Sequence, residues 1–198
     1  MKQLIIKIVL AIVIVVLAYL VIRSVGKPVK FNKEKEKRET VVINRLKDIR
    51  SAQLLFKNVY DGYAPTWDSM INFLKTVEIP IVKIMPDPDD TTFTKTINDT
   101  IGYIKAADSL FKGKIAVEEI KYIPFSEGEV FMIDAGEIIK GSVKVSVFEV
   151  SCLYTQFLKG MDEQLVINLV ATRKQLEQFP GLKVGSMEEP STDGNWEY

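Results

Sequence analysis

The segment Asn32 to Tyr60, NKEKEKRETVVINRLKDIRSAQLLFKNVY, contains neither proline nor glycine, and Val42, Leu46, Ile49, Gln53, Phe56 and Tyr60 recur in it at alternating spacings of four and three. That period puts six side chains on one face of a helix, and only Gln53 among them is polar. A single apolar stripe on an otherwise charged helix is buried either on the protein's own sheet or in the seam of a dimeric coiled coil. Fewer than three heptads are present, where a seam needs roughly three or four, so the stripe is expected to pack on a sheet. Asp61-Gly62-Tyr63 then closes the helix as a glycine-containing turn.

Upstream of Pro28 the character changes. Ile8 to Ile22, IVLAIVIVVLAYLVI, carries no charge, and twelve of its fifteen residues are Leu, Ile or Val. Extended back through Leu4, Ile5 and Ile6 across Lys7, the run approaches the ~20 residues that span ~30 Å of hydrocarbon. At about −0.3 to −0.6 kcal/mol for each such residue, insertion would be favoured by roughly 4 to 7 kcal/mol. The expectation is a single-pass transmembrane helix with the bilayer as partner through residues 4–22. The competing reading is a cleaved signal peptide, with Ser24 and Gly26 imitating a small-x-small site, but Arg23 would fall inside that site. The chain thus divides into an anchor at 1–24, a basic juxtamembrane linker and helix start at 25–40, and one extramembrane α+β domain at 41–198.

The formal charge is zero, with 26 basic and 26 acidic residues. Arg23 to Arg50 holds ten Lys or Arg against four acids, +6, whereas Ser51 to Tyr198 holds 14 against 22, −8. An acidic domain is repelled by phosphate backbones, so nucleic acid is not an expected partner. Cys152 is the only cysteine and there is no histidine, which removes intramolecular disulfides, Ser/His/Asp and Cys/His dyads and His-ligated metals together. Cys152, within Val150-Ser151-Cys152-Leu153, reads as a core residue.

Downstream, Thr66 is placed to cap a helix from Trp67 to Lys75, and Ile79 to Met85 forms a short strand whose Pro80 suits a sheet edge. Asp87-Pro88-Asp89-Asp90 makes a turn. Ile97, Ile101, Ile104, Ala107 and Phe111 predict a second helix over Thr91 to Lys112. Three strands are expected at Ile115 to Phe125, Glu129 to Ile139 and Ser142 to Val150, joined as a meander through Ser126-Glu127-Gly128 and Lys140-Gly141. Strict alternation in SVKVSV puts Val143, Val145 and Val147 toward the core and Lys144 and Ser146 toward water. A helical stretch follows Cys152 to Phe157. Another runs from Asp162 as N-cap through Leu165, Leu169 and Leu176 to Gln178, stopped by Pro180-Gly181, and Trp196 and Tyr198 could add an edge strand.

The N-terminal apolar helix, the amphipathic helix with Arg45, Leu46, Ile49, Arg50, Ala52 and Gln53, the segment Asp61-Gly62-Tyr63-Ala64-Pro65-Thr66 and the helix from Trp67 together resemble the front third of type IV pilins and type II secretion pseudopilins, over residues 1 to 76. The family's prepilin cleavage signal and the early glutamate of its apolar helix are absent, so processing is not implied. The resemblance implies a long N-terminal helix packed on a small antiparallel sheet, and an exported domain. Flanking charge alone does not set the orientation: basic residues favour the C-terminal flank, which would keep the domain in the cytoplasm, while a very short N-terminal tail favours export. The resemblance tips the reading to an inner-membrane protein with its domain periplasmic.

Candidate sites are sparse. Asp87, Asp89 and Asp90 supply hard oxygen ligands for Ca2+, but without EF-hand spacing. Asp134 in a strand is either a buried acid or a surface residue, and no second carboxylate completes a pair. Asn98-Asp99-Thr100 matches a glycosylation sequon. No catalytic residue, metal or cofactor is expected, and the chain is not read as an enzyme. The reading that follows is a membrane-anchored structural or interaction protein of the bacterial cell envelope, with an envelope protein or a second copy as partner. The alternative is a tethered ligand- or glycan-binding domain using Tyr63, Trp67 and Trp196.

Overall fold

The structure, a computed structural model, describes residues 2–86 and 96–197, and the side chains of these except 4, 21–25, 84–86 and 96–98. The chain is α+β. A single helix, α1 (Lys2–Tyr60), runs unbroken for 59 residues, roughly 90 Å at 1.5 Å per residue. It continues through Pro28, which lacks the N–H needed by the carbonyl four residues earlier. Beyond the proline Phe31 is held in the domain, 9 % exposed, and just before the proline Lys27 lies 3.9 Å from Asp162. α1 runs continuously through residues 25–40.

Five further segments build the head against the C-terminal half of α1: α2 (Trp67–Thr76), the hairpin β1 (Glu78–Pro86) and β2 (Thr96–Lys105), α3 (Ala106–Phe111), a 3-10 helix (Val117–Lys121), and a three-stranded antiparallel sheet with its short helices. The sheet has the order β3 (Met132–Lys140), β4 (Val143–Leu153), β5 (Gly181–Gly185). Between β4 and β5 the chain forms α4 (Tyr154–Phe157) and α5 (Glu163–Gln175).

The stripe on α1 packs within the protein, as expected. Val42, Leu46, Ile49 and Gln53 are fully buried and Phe56 is nearly so, in one cluster with Phe148, Val150, Cys152, Leu182 and Val184 from the sheet. Tyr60 is exposed at the end of the stripe but packs its ring 4.7 Å from Phe56 and 5.8 Å from Phe73. Capping follows the sequence too: Thr66 Oγ1 accepts from Ser69 N–H at 3.3 Å, and Asp162 accepts from Leu165 N–H at 3.3 Å.

The expected membrane-spanning helix is corrected. Among the described residues no helix is long and apolar enough to cross a membrane. The charge-free run in α1 is Ile8 to Ile22, fifteen residues or roughly 22 Å of helix against ~30 Å of hydrocarbon, with Lys7 before it and Arg23 after it. The single-pass placement in an inner membrane, with the head on the periplasmic side, falls with that helix.

Three local expectations are also revised. Thr96 to Lys105 is strand rather than helix, pairing antiparallel with β1; its Thr and Ile residues are β-branched and favour the pleated backbone over the helical one. Residues 91–95 and the Asp87-Pro88-Asp89-Asp90 turn lie outside the described residues. Ile115 to Phe125 contributes only the 3-10 helix and a single bridge, Tyr122 to Val130. The third strand is instead β5, where Gly181 and Gly185 let the backbone approach β4 so closely that a Cβ would lie 2.0 Å from the Cys152 carbonyl oxygen and 2.2 Å from that of Phe148.

The β3–β4 hairpin turns at Gly141 and Ser142 with φ of 57° and 67°, the backbone of a two-residue type I′ turn. In β4 the core face is Phe148, Val150 and Cys152, the opposite parity to Val143 and Val145. Val143 is exposed at the hairpin tip, Val145 is half-buried, and Val147 is buried on the other face, where its pair partner Gly136 lies under Met187 of the C-terminal segment.

Candidate functional site

Two surfaces stand out once the core is accounted for. The first is the N-terminal half of α1. Thirteen large apolar side chains between Ile5 and Leu20 are each 44–67 % exposed. They lie all round the helix rather than in a stripe: Ile8, Ile12, Val15 and Tyr19 share one side, while Leu10, Ile14 and Leu17 occupy others. The apolar area is on the order of 1,000 Å2, the scale of a specific protein interface.

The head is fixed to the lower half of this helix by arginines that the apolar period does not reveal. Arg38 donates to the Phe157 and Lys159 carbonyls at 3.1 and 2.9 Å, with its guanidinium 5.1 Å from the Phe125 ring centre. Arg45 donates to the Glu119 carbonyl, and Arg50 reaches Glu197 at 3.0 Å. Burial lowers the pKa of Arg45, an effect opposed by Asp48 and Glu119. The alternation of charged residues around these positions reads in the sequence as a solvated face; what distinguishes them is that each finds its partner 74 or more residues away.

The second is a cavity of about 260 Å3 in the head, between α1, the start of α4, α5, β5 and the C-terminal segment. Glu39 and Arg173 flank the hydroxyl of Tyr154, whose ring is 2 % exposed, and burial is the main cause raising that hydroxyl's pKa to about 12. Ile43, Leu182 and Trp196 supply apolar wall. The Trp196 indole N–H is buried and finds no hydrogen-bond partner among the described residues.

The sequence candidates fall as follows. Asp134 is exposed, and its Oδ1 accepts from the Ala135 N–H at 3.0 Å, so it is a surface residue. Asn98-Asp99-Thr100 lies on β2. The carboxylates of residues 87, 89 and 90 are outside the described residues. Cys152 is fully buried in the core, and burial pushes its thiol up to about 12. Of the three aromatics, Trp67 donates its indole N–H to the Phe131 carbonyl at 2.8 Å, and Tyr63 packs 4.6 Å from Phe148 under the Lys57 ammonium. Trp196 lines the cavity.

The fold and these surfaces define an α+β head carried at one end of a long helix whose other end is apolar on all sides. No known protein family, curated protein or solved structure matches the chain.

Proposed function

We propose that this is a structural, interaction-type protein of the bacterial cell envelope, working inside a pilin-like or secretion-type assembly in which the apolar end of α1 is packed among helices of other subunits. The observation that carries the reading is the distribution of apolar side chains from Ile5 to Leu20 around the whole helix. A two-helix seam needs one stripe; a helix that is apolar all round fits the centre of a bundle, surrounded on every side. The resemblance of residues 1 to 76 to pilins and pseudopilins supports the same reading, since it joins such a helix to such a head. The partner is either a second copy of the chain or another envelope protein.

A glycan-binding role has less support, because Tyr63 and Trp67 are committed to internal packing.

The pair Ile12→Glu and Val16→Glu, on one face of the apolar end and outside the head, tests the proposal. The wild-type chain is expected to elute as an assembly in size-exclusion chromatography with light scattering. The double variant should shift toward its 22.4 kDa monomer with the melting temperature of the head unchanged. A wild-type chain that is monomeric and binds no protein overturns the proposal.

A further inference from the structure

The cavity beside Trp196 combines a cation without an ion-pair partner and a donor without an acceptor, among the described residues. Arg173 forms no ion pair among the described residues: its Nη1 donates to the neutral Gln178 side chain at 2.6 Å, it also hydrogen-bonds the neutral Tyr154 hydroxyl, and its remaining donors are uncommitted to any carboxylate. Glu39 also faces the cavity, but Lys35 stands 3.7 Å from it, so the local balance is one positive charge. The Trp196 indole N–H is buried and unpaired among the described residues, an unfavourable state unless something accepts from it. Asn195 cannot do so, since its amide is spent on Lys183 N–H and the Gly181 carbonyl.

We propose that this cavity binds a small organic carboxylate, its anionic oxygens taken by the Arg173 guanidinium and the Trp196 indole N–H and its apolar body by Ile43, Leu182 and the Trp196 ring. Arg173 supplies charge and a planar fork of donors; carboxylate is the anion whose geometry that fork matches. The Tyr154 hydroxyl, hydrogen-bonded to both Glu39 and Arg173, fixes the guanidinium at the cavity wall. A volume just below the ~300 Å3 at which small-molecule pockets begin limits the ligand to about the size of benzoate. This site is independent of the apolar end of α1, and the assembly proposed above could fail without affecting it.

The chain has two tryptophans, and Trp67 is already hydrogen-bonded, so it serves as an internal control. The full chain labelled with 5-fluorotryptophan is titrated with sodium benzoate, against sodium chloride at equal ionic strength, and followed by 19F NMR. A saturable shift of the Trp196 resonance, with Trp67 unmoved, is expected. Arg173→Gln should raise the half-saturation concentration about tenfold or more, and Arg173→Lys, which keeps the charge, should raise it less. The two fluorine resonances also report folding, so the Arg173→Lys comparison decides if Arg173→Gln does not fold. No saturable shift up to ~50 mM benzoate, weaker than millimolar binding, overturns the proposal. So does a shift reproduced by chloride, or one equally strong in folded Arg173 variants.

Discussion

Gln53 and Ala64 exchange two hydrogen bonds across the end of α1: Ala64 N–H donates to Gln53 Oε1 at 2.8 Å, and Gln53 Nε2 donates to the Ala64 carbonyl at 3.0 Å. Both residues are fully buried. The one polar position in the apolar stripe thus satisfies the backbone of the turn that follows the helix, where no strand or helix would otherwise pair it. Gln53→Leu keeps the volume and leaves both Ala64 groups buried and unpaired, so a loss of about 2–4 kcal/mol is expected in urea unfolding. A loss below about 1 kcal/mol would mean that water replaces the amide.

Gly185 has a φ of 76° and lies so close to β4 that an added Cβ would meet the Phe148 carbonyl oxygen at 2.2 Å. Gly185→Ala should therefore destabilise the head by more than about 2 kcal/mol, through both backbone strain and displacement of β5 from β4. Gly113, with φ of 74° but open space around its Cβ position, is the comparison: Gly113→Ala carries the strain without the clash and should cost less. Melting temperatures of the two variants check the order.

Cys152 is inert in the folded protein. Its side chain is fully buried and its thiol is raised to about 12, so at pH 8 almost none is thiolate. A maleimide reagent should leave native protein unmodified for hours and label it within minutes in guanidinium chloride; rapid labelling of the native chain would contradict the core placement.

Lys159 and Glu129 form an ion pair, with Gln156 Nε2 also donating to Glu129 at 2.8 Å. The hydrogen bond from Lys159, then that from Gln156, holds Glu129 below the usual carboxylate range, and the bond to Glu129 raises Lys159. The folded Glu129 pKa is lower than the unfolded one, so its contribution is present above the unfolded value of about 4.3 and disappears as pH falls through the folded value. For Lys159 the sign is reversed: the contribution is present below about 10.4 and is lost as pH rises through the raised folded value. Glu129→Gln should accordingly lower the melting temperature at pH 7 and converge with wild type in acid and in strong alkali. A constant gap across pH would assign the effect to packing.

The helices were legible where a local signal sufficed. Thr66 and Asp162 announce their helices, and the stripe from Val42 to Phe56 identifies the buried face of α1, including its polar member. Thr96 to Lys105 was not legible, because isoleucines at spacings of four and three also fit a strand once β1 is alongside, with a register shift at Ile81/Val82. Nor was β5, five residues held between a helix stop and a turn, whose pairing depends on β4 some thirty residues earlier in the chain. The cavity joins Glu39, Tyr154, Arg173 and Trp196, positions spread over most of the sequence that no spacing rule connects. The apolar run near the start is the strongest signal of all, yet it reaches bilayer length only across Lys7, and among the described residues no helix is long and apolar enough to cross a membrane.

The central claim is that the apolar end of α1 is surrounded by protein. The most direct measurement places a photo-crosslinking residue at Ile12 or at Ile14, about 200° apart around the helix, and compares them in cells with Lys140, exposed at the β3–β4 turn. Protein adducts are predicted from both helix positions and none from Lys140. Adducts from one helix position alone would contradict the bundle, and absence of any protein adduct from either would contradict the account as a whole.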